Sequence, residues 1–332
     1  MLSVIIPVLD EAESLPQLHR ELGSAAEAAG WEIEFIIVDD GSTDGSWRVI
    51  EQLAADDPRV LGIRFRRNFG KAAALSAGFD AATGERIVTL DGDLQDDPAE
   101  IAQLLAKLDE GFDVVSGWKR VRHDPWHKVW PSRVFNWLVS RLTGVKLHDH
   151  NCGLKCFRRE VIHEIRLYGE LHRFVPVLAA ARGFRVTELV VQHRPRQFGK
   201  SKYGLSRIVK ALLDLLTVKF VIGYGQRPQH LLGTIGLASF GLGALGMLYL
   251  AARWCLSRVI DGWQIVHLHE TAALFYSLAL ILIGAQFMSF GFLGEMITAY
   301  LVRETDTYSI AQHTSPRQTA HPAPSGKASD TP

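Results

Sequence analysis

The sequence predicts an α/β protein, a doubly wound and mainly parallel sheet, followed by two helices long enough to cross a bilayer. Three observations carry this. Short runs rich in β-branched residues alternate with helical stretches through the first half of the chain. One run ends in Asp91-Gly92-Asp93 and passes directly into a helix start. Late in the chain, Leu231 to Ala252 and Thr271 to Gly294 carry no charged residue. Each of these exceeds the about 20 residues that span a hydrocarbon core. A buried core hairpin is the competing reading.

The elements follow in order. Ser3 to Val8 reads as a strand, leaving through Pro7-Val8-Leu9-Asp10-Glu11. Ser14-Leu15-Pro16-Gln17 has the form of a capping box for a helix ending near Gly30. Glu34 to Val38 is the second strand, followed by Asp39-Asp40-Gly41-Ser42-Thr43-Asp44 and a helix through Trp47, Val49, Ile50 and Leu53. Val60 to Phe65 is the third strand; Gly70-Lys71 opens a helix reaching about Ala82. Ile87, Val88 and Leu90 form the fourth, running to Asp91. Asp97 can cap the next helix, Pro98 suits its first position, and Ile101, Leu104, Leu105 and Leu108 give it one apolar face. Asp113 to Ser116 and Val186 to His193 are further strands.

In open α/β sheets ligands sit beyond the carboxyl ends of the strands. Acidic residues ending the first, second and fourth strands therefore converge on one edge. Asp-x-Asp there offers hard oxygens to Mg2+ or Mn2+, which in turn can hold a diphosphate; a plain polar turn is the alternative. Asp44 also reads as a helix cap, and Lys71 either reaches a phosphate or is a solvated helix-start lysine. No P-loop pattern occurs, and the first half of the chain, where strands alternate with helices, carries no G-x-G-x-x-G.

Composition narrows the classes. Lys+Arg and Asp+Glu are both 36, so no global field points to nucleic acid. Three cysteines give no disulfide framework. Cys152 and Cys156 lie near His148 and His150, yet the spacing fits no familiar zinc pattern. Trp118 to Arg133 mixes basic residues with tryptophans. Nucleic acid or a membrane surface explains such a mixture, and the two later spans favour the membrane. Met1 runs straight into the first strand, so the amino-terminal part is expected in the cytoplasm. Lys200, Lys202, Arg207, Lys210, Lys219 and Arg227 precede the spans, whereas the intervening loop carries only Arg253 and Arg258. That bias places both termini in the cytoplasm, on the inner face of the membrane.

The stretch Asp91-Gly92-Asp93-Leu94-Gln95-Asp96-Asp97-Pro98 resembles the metal-binding signature of GT-A glycosyltransferases of family 2, more narrowly the dolichyl-phosphate mannose synthase and bacterial polyprenyl-phosphate type. Asp149 to Arg158 resembles that family's acidic segment, with Lys155 where Arg is common; His172-Arg173-Phe174 resembles the next block. Arg196, Gly199, Ser201, Lys202 and Tyr203 match its Arg-x-x-Gly-x-Ser-Lys-Tyr element. The resemblance covers about Ser3 to Tyr308 and implies four regions. These are a GT-A domain over 1–204, a juxtamembrane helix over 205–230, a two-span hairpin over 231–302, and a tail over 303–332 expected to be disordered.

The implied reaction is inverting transfer of one sugar from a nucleotide-sugar to a polyprenyl phosphate. A UDP-sugar is the favoured donor and GDP-mannose the second. Pro7, Asp10, Glu11, Asp39, Asp40, Lys71, Asp91 and Gly92 are implied for the nucleotide-sugar, with Asp10 in place of the more usual Asn. Asp91, Asp93 and Gln95 are implied for the metal, and Asp93, Asp149 and Arg122 as catalytic. Arg122, Ser132, Arg196, Ser201 and Lys202 are the candidates for the acceptor phosphate. Asp149 either orients the acceptor side or serves as formal base. The lipid bilayer and a second copy of the chain complete the expected partners. A processive polysaccharide synthase shares the resemblance but carries a Gln-x-x-Arg-Trp motif and more spans, neither of which is present. Two spans give a translocator little room for a path, and a non-catalytic membrane scaffold is the remaining alternative.

Overall fold

The computed structural model describes residues 1–121, 126–165, 167, 169–195, 198, 206–224, 227–260 and 267–301. Arg122, Arg196, Ser201 and Lys202 lie outside the described residues. In chain order the elements are β1 (Leu2–Val8), α1 (Leu15–Ala29), β2 (Ile33–Asp39), α2 (Ser46–Asp56), β3 (Val60–Arg64), α3 (Lys71–Ala81) and β4 (Arg86–Thr89). They continue with α4 (Ile101–Asp109), β5 (Val114–Trp118), α5 (Trp126–Thr143), β6 (Lys155–Arg158), α6 (Arg159–Glu164), α7 (Val175–Ala181) and β7 (Val186–Val190). Last come α8 (Ser206–Tyr224), α9 (Pro228–Val259) and α10 (Ala272–Leu301).

The strands form one seven-stranded sheet in the order β3-β2-β1-β4-β6-β5-β7. β6 runs antiparallel to both of its neighbours, and every other pairing is parallel. β6 has no counterpart in the sequence reading. Its four residues are too short for alternation to show, and its two ends are charged. Its direction matters for the site. Because β6 is antiparallel to β4, its first residue Lys155 pairs with Thr89 at the carboxyl end of β4.

One face of the sheet buries Val4, Ile6, Phe35 and Ile37 against Leu15, Leu18 and Leu22 of α1 and Leu104, Leu105 and Leu108 of α4. The opposite face buries Ile5, Ile36 and Val38 against Ala74, Leu75 and Phe79 of α3 and Val161 of α6. The alternation of β1 residues between these two clusters is the strand's period of two. Ser14 does not cap α1 as expected: its backbone is already helical, and its hydroxyl donates to Glu11 O at 3.0 Å. Asp97 does cap, accepting from Ala99 N–H at 3.0 Å, while Glu100 turns away and accepts from Gln192 N–H at 3.4 Å.

A third cluster joins α5, α7 and α8 through Val139, Phe174, Val177, Leu215 and Val218. Outside it Trp130, Trp137, Leu213 and Leu216 are exposed, an apolar surface of the kind that settles into a membrane interface. α9 and α10 are both long and apolar enough to cross a bilayer. They pack along small residues. A Cβ on Gly236 would lie 2.7 Å from Gly284 O, and one on Gly243 would lie 2.6 Å from Ser277 O. Ser239 Oγ adds a hydrogen bond to Leu280 O at 2.9 Å across the pair. Gln286, a polar residue inside α10, is exposed, because this glycine seam occupies the shared face.

Replacing Gly284 by Val is therefore expected to destabilise the hairpin by roughly 1–3 kcal/mol through overpacking. Leu282→Ala, on the outward face, is the control. Denaturant unfolding of the purified protein in micelles should show a lower midpoint for Gly284→Val alone.

Candidate active site

The site gathers at the carboxyl edge of β1, β2 and β4. The register Val8↔Asp39 makes the loops after β1 and β2 leave the sheet side by side. Asp10 adopts φ 53, a left-handed conformation that Asn and Asp tolerate better than other L residues. This explains why Asp replaces Asn here without penalty to the turn. Asp10 Oδ1 accepts from Thr43 N–H at 2.8 Å, and its own N–H donates to Ser42 Oγ at 2.9 Å. Glu11 N–H donates to Ser46 Oγ at 2.8 Å. Asp44 accepts from Ser46 N–H at 2.8 Å, the capping duty weighed for it. The two loops are thus stitched together by hydroxyls and carboxylates.

Asp39 is fully buried. Its Oδ1 accepts from Ser42 N–H at 2.8 Å, and its Oδ2 makes no hydrogen bond within the described residues, with Arg64 Nε at 3.5 Å. A buried carboxylate oxygen with a free lone pair is suited to an N–H or O–H donor from a ligand. Asp40 is used differently. Its carboxylate accepts from Phe69 N–H at 2.7 Å and Gly70 N–H at 3.0 Å, fixing the start of α3. Burial raises its pKa against those bonds. Pro7 pairs with Val38 near the end of β1, and a Cβ on Gly92 would lie 3.7 Å from Pro7 O and 3.8 Å from Glu11 Cγ. Asp91-Gly92-Asp93 therefore adjoins the loop from Pro7 to Glu11.

Lys71 is the first residue of α3, where its charge opposes the helix dipole. Its ammonium pairs with Asp91 Oδ1. Burial alone would raise the Asp91 pKa, but Lys71, with smaller help from Lys119 and Lys155, brings it down to about 2. Gly153 admits that carboxylate, since a Cβ there would fall on it. Asp93 is buried, and its Oδ1 accepts from Gln95 N–H at 3.2 Å across Leu94, which sits at φ 58. No group of three or more His, Cys, Asp or Glu side chains suited to a metal forms among the described residues. Asp91 and Asp93 are nonetheless two anionic oxygen donors at one strand end. Such a pair fits a hard divalent ion that takes its other ligands from a substrate diphosphate.

Several residues holding this loop were missed by the sequence reading. Lys119, just after β5, forms a buried ion pair with Asp96 at 2.7 Å, and Asp96 raises the Lys119 pKa against the effect of burial. Arg194 bridges Asp97 at 2.6 Å and Glu21 at 2.7 Å, and its N–H donates to Gln95 O at 2.9 Å. A lysine directly following a buried strand was the one sequence signal for the first of these; Arg194 had none.

Asp149 is buried, and its Oδ1 accepts from Asn151 N–H at 3.0 Å. The segment around it hangs from α5: Asn136 Nδ2 donates to His148 O at 2.9 Å, and Ser140 Oγ to Leu147 O at 3.0 Å. Ser132 lies one turn before Asn136 on that helix. His148 stacks on Trp118 at 4.0 Å and pairs with Glu188, His150 meets Ser140 Oγ at 3.1 Å, and both cysteines are buried free thiols. The histidines are thus engaged elsewhere, and no zinc site forms among the described residues.

Residues 3–166 match glycosyl transferase family 2. Over 308 residues the chain is 38% identical to dodecaprenyl-phosphate galacturonate synthase of Rhizobium johnstonii, covering 91% of this chain and 89% of that protein. The chain belongs to glycosyl transferase family 2. It is a glycosyltransferase. Its fold is also similar to glucosyl-3-phosphoglycerate synthase from Mycobacterium tuberculosis, solved with Mn2+, UDP and phosphoglyceric acid. The TM-score is 0.52 at 16% identity, covering 67% of this chain and 78% of that one. A second structure of that synthase, with Mn2+ and UDP-glucose, gives a TM-score of 0.50 at 19% identity, again covering 67% and 78%. In this family 2 glycosyltransferase the Asp91–Asp93 edge is thus set in a GT-A-like sheet.

One pH dependence follows from the segment beside Asp149. Burial, and then the Lys155 charge, lower the His150 pKa to about 4, so the fold holds this imidazole neutral. The unfolded chain binds a proton from about pH 6.5 downward, and the folded protein only near the lowered value. Stability is therefore full above the unfolded pKa and declines as pH falls through this window, by up to about 3 kcal/mol for this group. Melting temperatures from pH 7 to pH 4 should fall less steeply for His150→Gln than for the unaltered protein.

Proposed function

We propose that this glycosyltransferase moves a single sugar from a nucleotide-sugar to a polyprenyl phosphate, with inversion, at the cytoplasmic face of the membrane. One observation carries the reading: a strand edge furnished for a metal–diphosphate, Asp91 and Asp93 beside Lys71, stands on the same chain as a two-helix hairpin of spanning length. The chain covers nearly the whole of a dodecaprenyl-phosphate sugar synthase, which supports a lipid acceptor, and that protein's name brings a uronic acid into the range of donors.

Asp91, Asp93 and Gln95 would hold Mg2+ or Mn2+, which when bound neutralises charge on the departing diphosphate. The Mn2+ and UDP of the mycobacterial structures support Mn2+ and a UDP-sugar over GDP-mannose. Asp39 Oδ2, which makes no hydrogen bond within the described residues, would accept from the base, and Asp10, Glu11 and the Pro7 turn would frame the ribose. On the acceptor side, Ser132, Arg122, Arg196, Ser201 and Lys202 would hold the lipid phosphate. Its second pKa near ~6 leaves it largely dianionic at neutral pH, a nucleophile that needs positioning more than a base. The Asn151 hydrogen bond and the burial of Asp149 favour an orienting role, with this carboxylate shaping the turn that carries Gly153 and Lys155.

Asp93→Asn keeps the shape and removes ligand charge. It should abolish transfer of labelled sugar to polyprenyl phosphate, a loss of several kcal/mol of transition-state stabilisation, while the melting temperature stays close to normal. Retained turnover, with EDTA also without effect, would refute the metal assignment.

The orientation has its own check. In a Cys255→Ser background, a cysteine at Asp261 should react with an impermeant thiol reagent outside whole cells, and one at Ser309 should not. The reverse pattern would put the nucleotide site in the wrong compartment.

A further inference from the structure

The chain leaving β7 crosses to the turn that follows Asp91 one hydrogen bond at a time. Val191 N–H donates to Trp118 O at 3.0 Å, still along the sheet. Gln192 N–H donates to Glu100, the residue before α4, at 3.4 Å. His193 forms an antiparallel bridge with Asp96, and Arg194 N–H donates to Gln95 O at 2.9 Å. Gln95 in turn donates its own N–H to Asp93 Oδ1 at 3.2 Å. Two hydrogen bonds therefore lead from the backbone of Arg194 to a carboxylate read above as a metal ligand.

The Arg194 side chain clamps the same contact from outside. Its guanidinium lies 2.6 Å from Asp97 and 2.7 Å from Glu21 of α1, a helix packed on the sheet. The clamp thus refers the turn to the body of the domain. The turn needs such a hold. Leu94 within it is fully buried at φ 58, a left-handed conformation that a branched apolar residue keeps only where its surroundings impose it. The sequence gives the contact a second reach. Pro195 follows Arg194, fixing its own φ and biasing the residue before it toward extended backbone. Arg196, a candidate for the acceptor phosphate, comes next and lies outside the described residues. One strip of chain is therefore hydrogen-bonded to the donor-side turn and covalently continuous with the acceptor-side element.

We propose that Arg194 is a positioning residue that couples the two substrates: through its clamp on Asp97 and Glu21, occupancy of the metal–diphosphate side and occupancy of the acceptor-phosphate side favour each other. Such coupling travels through contiguous packed and hydrogen-bonded groups, and here the path from Arg194 to Asp93 is two bonds long. Linkage of this kind is reciprocal, so each ligand tightens the other by the same factor. The coupling rests on the sugar-transfer reading above and adds to it a dependence between its two substrates.

The test uses the full-length protein in nanodiscs with and without undecaprenyl phosphate, titrated calorimetrically with UDP in the presence of Mn2+, or with GDP if UDP does not bind. The lipid phosphate should tighten nucleotide binding by about five- to tenfold. In Arg194→Met that ratio should fall to within about twofold of one. Arg194→Lys keeps the charge without the two-pronged geometry and should retain only part of it. Glu21→Gln removes the outer anchor alone and should give an intermediate ratio. Arg86→Met, which breaks an exposed ion pair with Asp109 at the other end of β4, should leave the ratio unchanged. A merely structural role for Arg194 would lower the melting temperature or weaken binding with and without lipid alike, leaving the ratio where it was. Thermal unfolding identifies any variant that fails to fold, and Glu21→Gln carries the test if Arg194→Met does. No linkage in the unaltered protein, or a ratio unmoved in a folded variant, overturns the coupling. Transfer of labelled sugar on the same nanodiscs separates the two readings. Transfer without linkage refutes the coupling alone, whereas linkage lost in the variants without transfer from any donor refutes the transfer reading and leaves the coupling standing.

Discussion

The ion pair between Lys71 and Asp91 is the contact on which the site depends. A parallel sheet that ends several strands in carboxylates concentrates negative charge along one edge, and mutual repulsion would raise their pKa values and splay the loops. Here cations are interleaved. Lys71 reaches Asp91 from the start of α3, and Lys119 neutralises Asp96 from the end of β5. Arg194 spans Asp97 and Glu21 from the loop after β7. Three separate elements thus brace one turn with cations before any substrate arrives, so little reorganisation is left for binding.

The antiparallel strand β6 is the second structural decision. A parallel strand at that position would deliver its first residue to the opposite edge of the sheet. Running antiparallel between β4 and β5, it brings Gly153 and Lys155 to the same edge as Asp91. Gly153 makes room for a carboxylate and Lys155 contributes a buried cation, so the three residues from Gly153 to Lys155 supply both shape and charge. The segment feeding this strand is hung from α5 through Asn136 and Ser140, which links the site to the helix whose tryptophans face outward.

Much of this was legible in the residues, for physical reasons. The strands and helices of the first half announce themselves because one face of each is buried and the period shows. Asp91 and Asp93 stood out because the pair ends a buried strand directly before a helix start, although Asp and Gly are also ordinary turn residues. β6 was not legible, since four residues with charged ends carry no period. Lys119 and Arg194 were not, because their partners lie on other elements and sequence order says nothing about such meetings. The glycine seam between α9 and α10 was not, since it reveals itself only once the two helices are aligned.

The outward-facing Trp130, Trp137, Leu213 and Leu216 lie on helices packed directly against the catalytic sheet's own satellite core. A head moored in this way meets its lipid by lateral diffusion within a plane. Its rate would then follow the mole fraction of acceptor in the bilayer rather than the amount in the suspension. Diluting the acceptor with inert phospholipid should slow the enzyme, and diluting the whole suspension of loaded membranes should not. The spare α5–α8 surface thereby sets the dimensionality in which the enzyme searches.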